Sequence, residues 1–263
     1  MSEQPLLSHV IELASRLRKA LLAIIIAFIL VFMFNYRVVQ LDPPGIPMII
    51  PYPSITDSLS VTVTRVFIHA MLPTGVKVIT LSPFDPLVAS AQVSLFLAIA
   101  IALPIVLWEF WAFVSPGLYE HEKRFLKASV LPSIILFALG ALFAYLVIIP
   151  VIFKFYVFYA NALSIEPTIG LRQFVQTVLA LMLSMGLAFQ TPLVMALLTR
   201  FRIVKASTWR RYWRWGVVAS FIFALIVSPG TTGGVIETII GLTMSSLYIV
   251  GMVIAEIIER RLA

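Results

Sequence analysis

The side chains in this sequence that are best suited to chemistry are glutamates set in a basic background. One lies four residues before Arg16 in a helical N-terminal pattern. Three more lie in one later segment, so that the set is Glu12, Glu109, Glu120 and Glu122. The carboxylates of the later segment suit a cationic ligand, and arginine binds carboxylates through paired hydrogen bonds. The alternatives are a surface ion pair worth about 0.3 kcal/mol at the first position and an ordinary loop with aromatic anchors in the later segment.

The sequence lacks the signatures of common enzyme classes. It contains no H-E-x-x-H zinc motif, no G-x-S-x-G elbow and no phosphate-binding P-loop. Its three histidines, His9, His69 and His121, fall in separate segments, and it has no cysteine. Neither a histidine cluster nor a thiolate site is therefore expected. We predict a protein that is not an enzyme and that has no metal and no cofactor.

The composition is that of a membrane protein. Of the 263 residues, 61% are hydrophobic and only 12% are charged. A soluble fold of this length could not bury so much apolar surface. The net charge of +7 does not indicate nucleic acid, because the basic residues lie at the ends of apolar runs.

Six apolar runs approach the length of about 20 residues that a membrane-spanning helix needs. They predict an all-α, polytopic, single transmembrane domain with six transmembrane helices at residues 20–36, 86–108, 128–153, 173–199, 212–227 and 235–255. The fifth run gives only about 24 Å of helix, and the sixth looks short as well, so we expect local thinning of the bilayer. The turn formers at residues 228–234 predict a tight hairpin between the last two spans.

The basic residues also predict the orientation of the chain. With the N-terminus inside, fourteen Lys and Arg fall on the cytoplasmic side and five on the outer side. We therefore expect an N-in/C-in arrangement, in which residues 37–85 form a long external loop. Runs of β-formers in that loop predict a small hairpin or a pair of extended segments around Val61, Val63, Val76 and Val78.

Few polar groups lie inside the predicted spans. Glu237, near the outer end of the sixth span, is either a functional intramembrane carboxylate or a residue hydrated at the interface, and its distance from the span centre favours the second. Three hydroxyl residues spaced by seven share a face of the fourth span, and these are Thr177, Ser184 and Thr191. Together with Gln190 they predict either hydrogen bonds between helices of this chain, which the sequence alone favours, or a site for a polar group of another protein's helix. Pro192 predicts a kink.

Five short segments, in order along the chain, match known motifs. Residues 111–124 read W-A-F-V-S-P-G-L-Y-E-H-E-K-R and are similar to W-x-F-x-x-P-x-L-Y-x-x-E-[KR]-[KR]. Residues 9–16 are similar to H-[LI]-x-E-L-x-x-R, and residues 186–192 to G-x-x-F-[EQ]-x-P. Residues 72–84 are similar to a known motif at the end of a first external loop. Residues 228–229 are similar to the motif of a turn between the last two spans. Together these segments resemble the TatC family of the twin-arginine protein translocase.

The resemblance implies a receptor for twin-arginine signal peptides that supports export of folded proteins, driven by the proton motive force. It implies a multi-pass cell (inner) membrane protein in a multimeric complex with single-span TatA and TatB type subunits and membrane lipid. The signal-peptide-binding positions it implies are Glu12, Arg16, Phe113, Pro116, Leu118, Tyr119, Glu122, Lys123 and Arg124. Glu122 would be a main contact for the arginine pair, and Phe113 would support the loop. Gln190 and Thr191 would contact a partner helix.

Two other function classes compete with this interpretation. A secondary transporter of a small solute or ion would tend to show inverted repeats, broken helices and midplane charges, and the sequence lacks the first and the third. An intramembrane enzyme would need a nucleophile, a metal motif or paired aspartates within the spans, which are missing as well.

Overall fold

A computed structural model describes the backbone of residues 4–41, 46–114, 120–228, 230 and 233–262. Side chains are described for residues 11–36, 50–110, 112–113, 125, 127–228, 230 and 233–261. The helices of this part of the chain are α1 (Gln4–Met33), α2 (Leu59–Met71), α3 (Asp85–Val114), α4 (Glu120–Phe143), α5 (Ile149–Ala162), α6 (Leu171–Ala188), α7 (Thr191–Arg200), α8 (Ala206–Arg211), α9 (Trp213–Val227) and α10 (Val235–Leu262). The strands are β1 (Phe34–Leu41), β2 (Ile46–Pro53), β3 (Lys77–Ile79) and β4 (Thr168–Gly170). A π-helical turn, Ala144–Ile148, joins α4 to α5.

Four helical stretches in the described residues are long and apolar enough to cross a bilayer. They are Asp85–Phe110, Lys127–Ala162, Leu171–Arg200 and Val235–Arg261. The helices α2 and α9 are apolar but shorter. The predicted all-α, polytopic membrane class is therefore confirmed, whereas the count of six spans stays a prediction.

Several helices extend beyond the apolar runs that predicted them. The helix α3 continues past residue 108 to Val114, so part of the aromatic segment is helical and not a loop. The helix α10 has 28 residues and ends at Leu262, so the expectation of a short sixth helix is wrong. By contrast α1 ends at Met33, before the predicted end at residue 36, because the next residues enter β1. The helix α9 is short, as predicted, since its 15 residues rise about 22 Å.

The chain divides into two compact units. The first comprises Met1–Glu109 and Thr168–Leu179, and the second comprises Phe110–Pro167 and Ala180–Ala263. In the first unit β1 and β2 form an antiparallel hairpin whose register pairs Phe34 with Pro53, and β3 pairs in parallel with β4. A hairpin in the external loop is thus present, but it lies nearer the start of the loop than the sequence indicated.

The extended structure predicted around Val61 and Val63 is wrong, because both residues lie in α2. The buried residues of this helix recur every three or four positions, and they are Ser60, Thr64, Phe67 and Met71. Burial of this stripe outweighs the modest preference of β-branched residues for strands. Val78 does lie in a strand, β3, whereas Val76 lies just before it.

Polar side chains hold α2 within the first unit. Asp57 accepts a hydrogen bond from the Tyr52 hydroxyl at 3.1 Å and forms an ion pair with Arg65 at 3.2 Å, which joins the hairpin to the start of α2. The buried Ser60 and Ser90 hydroxyls lie 2.7 Å apart and connect α2 to α3. These bonds satisfy polar groups that would be costly to bury alone.

In the second unit α10 packs against α9 and α7. A Cβ atom added at Gly241 of α10 would lie 2.6 Å from the Phe221 ring of α9, so only glycine permits this close approach. The turn between the two helices contains three glycines with positive φ, which are Gly230, Gly233 and Gly234. The tight hairpin predicted from residues 228–234 is therefore confirmed by the two helix ends on either side of it.

Candidate functional site

Four charged side chains of the first unit form one ion network that joins α1 to α3. Arg16 donates two hydrogen bonds to Glu12 Oε1, from Nε at 3.0 Å and from Nη2 at 2.7 Å. Its Nη1 donates to Glu109 Oε2 at 3.3 Å. Lys19 Nζ lies 3.7 Å from Glu109 Oε1. The network forms because Glu12, Arg16 and Lys19 recur every three or four residues on one face of α1.

The two carboxylates of the network differ in what they can still bind. Both oxygens of Glu109 face cations, and its side chain is only 12% exposed. Glu12 is 34% exposed and contacts Arg16 through a single oxygen. Among the described residues, no donor reaches Oε2 of Glu12. Glu12 can therefore accept a further hydrogen bond from a cationic ligand, whereas Glu109 is occupied within the chain.

The other predicted signal-peptide positions lie between the end of α3 and the start of α4. Phe113 is half-buried in the last turn of α3. The backbone of Glu122, Lys123 and Arg124 is helical in α4, and their side chains lie outside the described set. Pro116, Leu118 and Tyr119 lie outside the described residues altogether. Among the predicted positions, the structure thus brings together Glu12 and Arg16.

Gln190 and Thr191 lie at the break between α6 and α7. The break confirms the kink predicted from Pro192, because α6 ends at Ala188 and α7 begins at Thr191. The buried Gln190 amide donates from Nε2 to the Ser133 carbonyl of α4 at 3.0 Å. Its Oε1 is buried, and no described residue donates to it. The Thr191 hydroxyl donates to the Ala188 carbonyl at 2.7 Å. The donor side of Gln190 thus serves a contact within this chain, and its acceptor side is open.

Sequence reasoning placed Glu109 in an acidic segment but not in contact with Arg16. The two residues are 93 positions apart, so no local spacing could pair them. The useful signal was the orientation derived from basic residues, which placed Glu109, Arg16 and Lys19 on the same side of the membrane. A half-buried carboxylate at that boundary needs a cation, and these were the nearest candidates.

Other acidic residues have structural partners that the sequence did not reveal. Glu237 is buried and accepts a 2.6 Å hydrogen bond from the Ser228 hydroxyl, so the expectation that it is simply hydrated is wrong, whereas its depth in the membrane stays a prediction. Near the other end of α10, Glu259 accepts a hydrogen bond from the Ala206 amide at 3.0 Å, which fixes the start of α8. In the described part of the chain, no group of His, Asp and Glu side chains is arranged to hold a metal.

Comparisons with known proteins agree with the sequence motifs and with the geometry of the site. The profile of the family described as "Sec-independent protein translocase protein (TatC)" matches residues 8–240, which include most of α1, the ion network, the α6–α7 break and the Ser228–Glu237 pair. The chain belongs to the TatC family. It is therefore a multi-pass membrane component of the Sec-independent protein translocase.

TatC proteins from different organisms are similar to this chain over much of its length. The TatC protein of Aquifex aeolicus is 28% identical over 258 residues, which cover 98% of this chain and 97% of the relative. The chloroplastic TATC of Pisum sativum is 33% identical over 67% of this chain and 50% of its own length. A crystal structure titled as the twin arginine translocase receptor TatC superposes with a TM-score of 0.74 at 26% identity, covering 95% of this chain and 99% of that one. The TatC fold thus extends over nearly the whole chain.

Proposed function

We propose that this TatC chain binds twin-arginine signal peptides at its cytoplasmic face and scaffolds the export of folded proteins driven by the proton motive force. The observation that carries this proposal is the Glu12–Arg16 contact. It demonstrates that Glu12 accepts a guanidinium group at short distance, and it leaves Oε2 open to a second one. A signal peptide offers such groups as consecutive arginines, and its apolar segment can enter the neighbouring lipid.

The segment from the last turn of α3 to the first turns of α4 supplies the rest of the proposed binding surface. Its resemblance to the family motif assigns a main arginine contact to Glu122, with Lys123 and Arg124 beside it. Phe113, half-buried in the last turn of α3, supports the loop. The remaining members of the surface are Pro116, Leu118 and Tyr119. In this proposal the carboxylates of Glu12 and Glu122 are both contacts for arginine side chains of the peptide.

The proposed orientation of the chain follows from its charge distribution, and its proposed location follows from the family resemblance. Fourteen of its basic residues fall on the side of the N-terminus when six spans are assumed. The positive-inside rule then places both termini in the cytoplasm of a cell whose inner membrane contains the complex. This orientation puts the Glu12–Arg16–Glu109–Lys19 network on the side from which unexported cargo arrives.

The break between α6 and α7 is proposed as the contact for a single-span partner of the TatA or TatB type. The acceptor Oε1 of Gln190 is buried, and no described residue donates a hydrogen bond to it. A buried acceptor is costly unless a donor reaches it. A polar side chain on a partner helix can supply this donor within the bilayer, beside Thr191, once the Gln190 side chain turns out of the core. A transporter of small solutes is a less suitable alternative, because a family of protein translocase components matches most of the chain.

Peptide binding to the purified protein tests the proposal. A fluorescent signal peptide with Arg-Arg is titrated against a matched peptide with Lys-Lys, and we expect the Arg-Arg peptide to bind more tightly. Glu12→Gln should weaken Arg-Arg binding by about fivefold, the effect of losing one partly exposed charged hydrogen bond. Equal affinities for the two peptides would refute the receptor function.

A matched variant separates the site from nonspecific attraction. Glu166 is an exposed carboxylate in the segment between α5 and β4, which the orientation places outside the cell. Because detergent exposes both faces, Glu166→Gln tests whether any surface carboxylate recruits the peptide. We expect this variant to bind the Arg-Arg peptide as the unmodified protein does. A loss equal to that of Glu12→Gln would contradict the site.

A further inference from the structure

An apolar cleft of about 580 Å³ lies in the first unit between α1 and α3. Small residues from both helices line it, which are Ala23, Ala27 and Ala102, together with the larger Leu22, Ile26 and Ile105. Small residues on facing membrane helices usually allow the helices to pack closely. Here they border an open space, so the aliphatic lining faces a cleft in a part of the chain that lies within the bilayer.

The two ends of the cleft carry the only polar side chains among its lining residues. Lys19 lies at one end, with 61% of its side chain exposed, and Tyr36 lies at the other. Lys19 approaches Glu109 at a distance of 3.7 Å, which is long for a charge-assisted hydrogen bond, and its ammonium carries three donors. Glu109 already receives Arg16, so Lys19 retains charge and donors for an anion.

We propose that the cleft binds one acyl chain of an anionic phospholipid whose phosphate pairs with Lys19. The lining fits an aliphatic chain along its length and an anionic head at one end. From Lys19 to Val31, the last residue of α1 that lines the cleft, the helix rises about 18 Å, and Tyr36 lies beyond it in β1. The cleft thus extends over more than half of the ~30 Å hydrocarbon core, and a lipid with its headgroup beside Lys19 lies in its normal orientation.

The size of the cleft favours a lipid chain over a transmembrane helix of a partner protein. Divided by the ~18 Å that α1 rises from Lys19 to Val31, the cleft volume gives a mean cross-section of roughly 30 Å², which is narrower than a helix that is about 10–12 Å across with its side chains. A volume of 580 Å³ lies instead within the range of about 300–1,000 Å³ of sites that enclose small ligands. Burial of each methylene contributes about 0.8 kcal/mol in membrane anchoring, although the bilayer offers the chain a similar environment. Selectivity must therefore come from Lys19.

Lipid retention by the intact protein tests this proposal. The full chain is purified, stripped of lipid in detergent and titrated with phosphatidylglycerol or phosphatidylcholine, and bound lipid is counted by native mass spectrometry. We expect one phosphatidylglycerol to be retained about fivefold more tightly than phosphatidylcholine, the factor for one basic residue near an anionic headgroup. Lys19→Gln should remove this preference. Ala23→Leu, which fills part of the cleft, should lower retention of both lipids.

Controls make the outcomes decisive. Arg18 is exposed, neighbours Lys19 and does not line the cleft, so Arg18→Gln should leave the preference unchanged. Equal retention of both lipids by the unmodified protein would overturn the proposal, and so would equal losses from the Arg18 and Lys19 variants. The chain has no cysteine, so a single Ile26→Cys variant can carry a crosslinker. Crosslinking to a single-span subunit in place of lipid would assign the cleft to a partner helix.

Discussion

Replacing Glu109 by glutamine is the most informative single change to the ion network. The substitution keeps the shape of the side chain but removes the charge that Arg16 Nη1 and Lys19 Nζ face at 3.3 and 3.7 Å. Arg16 then has Glu12 as its remaining carboxylate and binds it more strongly. We therefore expect Glu109→Gln to lower both the thermal stability of the protein and its affinity for an Arg-Arg peptide.

The size of the effect follows from the exposure of the partners. In a medium of effective dielectric constant ~20, two unit charges 3.3 Å apart attract by about 5 kcal/mol before desolvation is subtracted. Arg16 is 24% exposed and keeps Glu12, so the net loss there is about 1 kcal/mol. Lys19 is 61% exposed and adds no more than about 0.5 kcal/mol. The expected loss of roughly 1–1.5 kcal/mol lowers the melting temperature by about 2–6 °C in a chain of this size.

Thermal melting and peptide titration of the same preparations provide the assay. Glu256→Gln is the matched control, because Glu256 pairs at 3.5 Å with Arg210, which is 74% exposed, and melting should shift by less than about 1 °C. For the peptide, Glu109→Gln should weaken Arg-Arg binding about threefold, whereas Glu122→Gln should weaken it at least tenfold through loss of a direct charged hydrogen bond. Equal peptide losses from the Glu109 and Glu122 variants, or an unchanged melting temperature for Glu109→Gln, would refute the reasoning.

Three further predictions concern packing, burial and the bilayer. Gly241→Ala should destabilise the α9–α10 contact by about 1–3 kcal/mol, because the new Cβ meets the Phe221 ring. Adding Phe221→Leu makes room for this Cβ, so the double variant should recover part of the lost melting temperature. Ser228→Ala should lower the free energy of unfolding by about 1–3 kcal/mol, because it removes a donor from the buried Glu237 carboxylate. Adding Glu237→Gln should reduce that loss of stability. An unchanged melting curve for Ser228→Ala would contradict the role of this bond. Because α9 rises only about 22 Å, the protein should melt at a higher temperature in short-chain than in long-chain lipid bilayers, and identical melting in both would argue against local thinning.

The apolar helices were predictable because each one is determined by a local property of the sequence. A run such as that in α3 has no alternative to a helix in a bilayer, where every backbone polar group must be satisfied within the segment. The break before Pro192 and the glycine-rich turn after α9 are local for the same reason, since backbone restrictions act at those residues themselves. The helix ends were less predictable, because α3 and α10 continue through polar residues that apolar runs do not include.

Structure at α2 and at Glu237 depended on contacts that sequence spacing does not encode. The helix α2 is rich in valine and threonine, yet it forms because a stripe that includes Phe67 and Met71 is buried in the first unit. Similarly, Glu237 is buried because the turn brings Ser228 to it across nine residues. In both cases a tertiary contact outweighs a local preference. In α2 that preference is a moderate β propensity, and for Glu237 it is the tendency of a lone carboxylate to stay hydrated.

The ion network also suggests how the proposed site would distinguish arginine from lysine. Arg16 makes three contacts with two carboxylates through its planar guanidinium, so any cation that binds Glu12 competes with a guanidinium already in place. An incoming arginine can match that geometry, whereas a lysine offers a compact, strongly hydrated point charge. We therefore expect Arg16→Gln to raise the affinity for Lys-Lys peptides more than the affinity for Arg-Arg peptides. The ratio of the two affinities would then be smaller in the variant than in the unmodified protein. A wider difference in the variant would mean that selectivity resides in the α3–α4 loop alone.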